Sequence, residues 1–121
     1  MQPHPVNRAN TEHYVWGSNC DGWHLLKDAA LSVIEEQMAP GTTEILHFHE
    51  RSRQFFVVLA GEAVMELDGN ETRLAARDGL QIRPRTLHRI RNESQDPLQF
   101  LVISQPPSHG DRVTARRNTK P

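Results

Sequence analysis

The sequence predicts a single all-β domain, an antiparallel barrel or two-sheet jelly roll, and three observations carry that expectation. The apolar residues fall in short runs rich in Val, Ile, Leu and Phe, residues that fit a pleated, half-buried surface. Gly, Pro, Asn and Asp separate the runs and no long helical period interrupts them, so no helix is at hand to cross between parallel strands. The 121 residues suffice for one core and are too few for two.

In chain order the runs span Trp23 to Lys27, Leu31 to Met38, Ile45 to His49, Gln54 to Leu59, Ala63 to Leu67, Thr72 to Leu74, Leu80 to Arg83, Leu87 to Arg91 and Leu98 to Ser104. Each reads as a strand. Ala60-Gly61-Glu62 and Asp68-Gly69-Asn70 read as turns, because Gly and Asn accept the positive φ of tight hairpins. Residues 1–12 are polar with two prolines, and residues 106–121 are polar and basic with three. Neither end can bury much apolar surface by itself. The barrel is therefore expected over 13–105, with an N-terminal arm at 1–12 and a C-terminal polar tail at 106–121.

Lys and Arg number 14 against 15 Asp and Glu, a net charge of −1, which gives no electrostatic reason to expect a nucleic-acid or membrane-surface partner. Met1-Gln2-Pro3-His4-Pro5 is not a basic segment followed by an apolar one, and the longest apolar run falls far short of a membrane span. A cytoplasmic location is the default expectation. Cys20 is the only cysteine, so an internal disulfide is impossible and a reducing compartment fits. No reactive-cysteine motif surrounds it.

The chemistry-bearing residues are histidines. Side chains at i and i+2 share one face of a strand, so His47 and His49 look one way and Phe48 the other. After a turn between Glu50 and Arg53, parity returns Gln54, Phe56 and Val58 opposite them. His88, on a later strand, is the third candidate. Neutral imidazole suits iron, manganese, nickel, copper and zinc, and three on a rigid barrel leave positions open for water or substrate. A lone strand histidine is more often a hydrogen-bonded core or surface group; spacing lifts these three. The chain reads Gly41, five residues, His47, one residue, His49, four residues, Gln54, six residues, Gly61.

This stretch resembles the first motif of the cupin superfamily, which differs only in placing Glu where Gln54 stands. Asp78, Pro84, His88 and Asn92 resemble the second motif, with Arg77, Arg83 and Arg85 where glycine, proline and glycine are usual, so the turn before His88 is expected to differ in shape. The resemblance covers Leu31 to Ile103. It implies a cupin β-barrel, also called a double-stranded β-helix, that holds one divalent transition-metal ion on His47, His49, Gln54 and His88. It also implies a homodimer through paired edge strands. Gln54 alternatively stays off the ion and hydrogen-bonds water or substrate, leaving a three-histidine site like that of some cupin dioxygenases.

An amide, unlike a carboxylate, leaves the full +2 charge on the ion, so an anionic, oxygen-bearing small molecule is the expected substrate. Arg53, Arg89 and Arg91 are candidates to add positive charge, although parity starts Arg53 and Arg89 on the outer face. Phe56, Val58, Met65, Ile90 and Phe100 are candidates to line a pocket, with simple core as the plainer reading. Trp23 is a candidate for the pocket mouth or a subunit interface, and His24 is left out of the site. The leading function is a metalloenzyme of dioxygenase-like or isomerase/lyase-like chemistry. A non-catalytic ligand-binding or sensor protein is the alternative. A metal-free sugar-nucleotide epimerase with a Tyr acid ranks last, because Tyr14 lies outside the expected strands.

Overall fold

The computed structural model describes residues 4–115. Its strands are β1 (Glu12–Trp16), β2 (Cys20–Lys27), β3 (Ser32–Met38), β4 (His47–His49), β5 (Arg53–Ala60), β6 (Ala63–Leu67), β7 (Asn70–Leu74), β8 (Gly79–Ile82), β9 (His88–Arg91), β10 (Leu98–Gln105) and β11 (Arg112–Thr114). They form a six-stranded sheet of order β1-β2-β3-β10-β5-β8 and a five-stranded sheet of order β11-β4-β9-β6-β7. All pairs are antiparallel. The two-sheet jelly roll expected from the pattern is the observed architecture, and among the described residues no helix is long and apolar enough to cross a membrane.

The nine expected strands correspond to β2 through β10, with ends shifted by up to three residues. The outermost strands were not foreseen. β1 joins β2 through a turn in which Gly17 and Asn19 take φ of 54° and 60°, and its polar sequence hid the pairing. β11 lies inside the segment read as a polar tail. It pairs with β4, and no local apolar pattern signals a strand whose three residues are all exposed.

The core lies between the sheets. β10 sits centrally in its sheet, and Leu98, Phe100 and Val102 face inward on alternate positions. Phe100 stacks on Phe56 with ring centroids 5.7 Å apart, joining Met38, Val58, Met65 and Ile90 in the cluster. Burying such side chains is worth about 1.5–3 kcal/mol each.

Two arginines occupy positions where the sequence pattern favours glycine, and the backbone keeps the glycine-like shape. Arg77 and Arg85 adopt φ of 78° and 65°, a region that costs a non-glycine residue on the order of 1 kcal/mol. The expected change of turn shape does not reach the backbone hydrogen bonds: Arg85 N–H donates to His49 O at 2.7 Å and Arg77 N–H to Val58 O at 2.8 Å. The first of these ties the turn before His88 to the strand carrying His49.

Candidate metal centre

Strand pairing brings the three histidines together. His47 and His88 are register partners across β4 and β9, and parity on β4 puts His49 on the same side. Ring centroids are 4.4 Å apart for His47 and His88, 4.9 Å for His47 and His49, and 5.8 Å for His49 and His88. One nitrogen from each lies within 4.8 Å of the others. All three are buried, so His47, His49 and His88 can hold a metal ion between them.

Backbone carbonyls set the tautomers. His47 Nδ1 lies 2.7 Å from Ile45 O and His88 Nδ1 lies 2.8 Å from Thr86 O. A carbonyl only accepts, so each Nδ1 carries the hydrogen and each Nε2 keeps its lone pair. His88 Nε2 and His49 Nδ1 are buried with no hydrogen-bond partner among the described residues. Burial, with the nearby His88 adding to it, pushes His47 down to about 3 and His49 down to about 4. His88 is lowered as well, again chiefly by burial. The cluster is thus neutral near pH 7, the form in which imidazole donates a lone pair.

Gln54 lies beside this set. It is 6% exposed and faces the cavity that His47 and His49 line. Its Nε2 donates to Ser104 Oγ at 3.0 Å, and its Oε1 is buried without a hydrogen-bond partner among the described residues. A buried acceptor left in this way is costly, and a cation or a hydrogen-bond donor on a ligand satisfies it. These orphaned atoms, together with neutral imidazoles, fit a divalent transition metal.

The cavity has a volume of about 820 Å³. Of the candidate lining residues, Phe56 reaches its wall, whereas Val58, Met65, Ile90 and Phe100 are core. Arg53 binds Gln105 on the outer face, and Arg89 and Arg91 pair with Glu66. Trp23 lies under Arg8, whose guanidinium carbon is 3.9 Å from the ring centroid. The cavity receives Arg112 from β11 instead, with Nη2 donating to Ile45 O at 3.4 Å.

Four wall residues were missed or set aside. Tyr14, expected to lie outside the strands, is on β1 and its hydroxyl donates to Glu36 Oε2 at 2.5 Å. Glu36 on β3 and Glu44 before β4 line the cavity. His24, left out of the site, lines it too and sits 5.0 Å from the Tyr14 ring. Parity alone could have turned Glu36 inward beside Ile34 and Met38, but nothing in the pattern marks it as more than one of two adjacent glutamates.

Comparison with known proteins agrees with this architecture. A family model described as a cupin domain matches residues 34–104, and the chain belongs to that family. An uncharacterized protein of Methanocaldococcus jannaschii is 33% identical over 89 residues, 73% of this chain and 71% of that one. The structure of a predicted oxalate decarboxylase from Thermotoga maritima superposes with a TM-score of 0.78 at 21% identity, covering 86% of this chain and 100% of that one. The polyketide cyclase RemF from Streptomyces resistomycificus gives a TM-score of 0.78 at 16% identity, covering 99% and 90%. These two likenesses establish the fold alone.

Proposed function

We propose that this cupin holds one divalent transition-metal ion on His47, His49 and His88, with Gln54 completing or polarising the site, and acts on a small anionic, oxygen-bearing molecule. The observation that carries the reading is the convergence of three buried, neutral imidazoles, with ligand atoms within 4.8 Å, beside an amide oxygen that has no partner among the described residues. When bound, such an ion supplies Lewis-acid polarisation of a ligand oxygen. No carboxylate joins the donor set, so the ion's charge favours an anionic chelator, and Arg112 on the same wall adds to that preference. An imidazole-rich set admits iron, manganese, nickel, zinc or copper. The chemistry falls within the dioxygenase-like or isomerase/lyase-like range.

The test is elemental analysis of the natural chain and of His47→Ala and His88→Ala. About one equivalent of a transition metal in the natural chain, lost in both variants, supports the site. No metal after reconstitution with iron, manganese, nickel and zinc overturns it and turns attention to a non-catalytic ligand-binding cupin. A cytoplasmic homodimer belongs to the same proposal. Val15 and Ile45, 66% and 62% exposed, offer apolar surface beside the sheet edges, and sedimentation analysis reads the oligomeric state.

A further inference from the structure

We propose that Glu36 and Glu44, set in place by Tyr14, are the proton-transfer residues of the cavity. The reaction they serve moves a proton at a carbon next to a carbonyl, the chemistry of an isomerase or lyase. This rests on the reading that the three histidines hold an ion that draws a chelating anion to their side.

The placement comes from both sheets. Glu44 is bolted to the strand that carries His88: its N–H donates to Ile90 O at 3.0 Å, and its Oε1 accepts from Ile90 N–H at 3.3 Å. Glu36 approaches from β3, its Oε2 held by the Tyr14 hydroxyl. Glu36 Oε1 and Glu44 Oε2 have no hydrogen-bond partner among the described residues. Both side chains line the cavity that also receives the unpartnered Oε1 of Gln54, itself 6% exposed.

The fold gives up a side chain to make this arrangement. Tyr14, Gly22 and Glu36 are register partners across β1, β2 and β3. The Tyr14 ring crosses directly over Gly22, where a Cβ would collide with it. Only a glycine lets the phenol reach Glu36. Two carboxyls set close together and partly withdrawn from water are a poor choice for stability. Tyr14 from β1 and Arg112 from β11 act on them directly, and His24 from β2 with His47 and His49 from β4 are titratable groups on the same cavity wall. Burial pushes Glu36 up to about 7, against the lowering pull of Tyr14 and Arg112. Burial pushes Glu44 up to about 8, and Glu36 raises it further. Carboxyls poised near neutrality both accept and return protons.

In the step itself an ionised carboxylate takes the proton from the carbon. The C–H bond breaks, and its electron pair becomes the C–C double bond of an enolate as charge moves to the carbonyl oxygen. The protonated carboxyl then returns the proton to carbon. No oxidant or reductant is consumed.

The experiment loads the full chain with zinc, measures bound zinc by elemental analysis, and follows deuterium entry from D₂O at C3 of 2-oxobutanoate by mass spectrometry. The natural chain is expected to exchange. Glu36→Gln or Glu44→Gln should slow exchange on the order of a hundredfold with zinc content unchanged. The infrared band of a protonated carboxyl, present at pH 7, should weaken in those variants. Tyr14→Phe removes the hydroxyl that lowers Glu36, so its exchange profile should move to higher pH. Exchange undiminished in both glutamine variants overturns the proposal, as does a zinc-loaded natural chain that does not exchange. Failure to take up zinc or any other metal sinks the metal-centre reading instead.

Discussion

His47 and His88 oppose each other directly across β4 and β9, their ring centroids 4.4 Å apart. That single pair is all the ladder the two strands share. The spacing of the imidazoles is therefore held by what flanks it: the Ile45 and Thr86 carbonyls on the rings, the bonds from Glu44 to Ile90, and β11 on the outer side of β4.

The metal-free protein should lose stability below about pH 4.5 and above about pH 6.5, with a flatter stretch between where the contributions of two histidines and two glutamates oppose each other. Burial depresses His47 and His49 below their ordinary 6.5, so the unfolded chain binds more protons below about pH 6.5 and their contribution falls as pH drops. Glu36 and Glu44 are raised above their ordinary 4.5, so the folded chain holds more protons between about pH 4.5 and 8 and their contribution falls as pH rises there. Scanning calorimetry across pH reads both limbs. The double variant Glu36→Gln with Glu44→Gln should flatten the alkaline one, and an unchanged alkaline slope would contradict the assignment.

Gly22→Ala should destabilise the protein by about 1–3 kcal/mol, the usual cost of overpacking, because the new methyl collides with the Tyr14 ring. Combining it with Tyr14→Ala should recover most of the loss. Urea denaturation of the two single variants and the double variant measures the coupling, and strict additivity would show that the collision is relieved elsewhere.

Asp111→Ala should loosen the end of β11. Asp111 Oδ2 accepts from the Arg51 and Ser52 N–H groups at 2.9 and 2.8 Å, and losing such bonds costs about 1–3 kcal/mol. Hydrogen exchange should rise at Arg51, Ser52 and the β11 amides while the β10 amides stay protected. Uniform loss of protection would instead indicate global destabilisation.

Gln54→Glu should tighten metal retention and weaken the binding of anionic ligands, since a carboxylate in that place cancels one unit of the ion's charge. Competition with a chelator reads the first effect, and displacement of bound metal-site water by oxalate, followed calorimetrically, reads the second. Metal retention and anion binding both unchanged would mean that Gln54 lies outside the ion's reach.

The parts of the site that were legible in the sequence share a property: their meaning is set by residues nearby in the chain. His47 and His49 share a face by strand parity, and Gln54 follows from the same parity one strand later. Arg112 was illegible for the opposite reason. It sits in a polar stretch that becomes a strand only because Asp111 engages Arg51 and Ser52 on the far side of the sequence. Tyr14 was discounted because β1 is polar and short, and its role appears only when Gly22 is seen to lie beneath it. The arginines at 77 and 85 misled in a different way. Residue preference argued against a left-handed backbone there, and the hydrogen bonds to Val58 and His49 impose it regardless.

The clasp at Asp111 also has a consequence for biosynthesis. His88, the last of the three histidines, precedes Arg112 by 24 positions, which a ribosome adding about 5–20 residues per second covers in roughly 1–5 s. All three histidines leave the ribosome before Arg112 can close its side of the cavity. For those seconds the nascent chain presents its imidazoles without the wall that Arg112 completes, a window in which the proposed ion would meet a more open site.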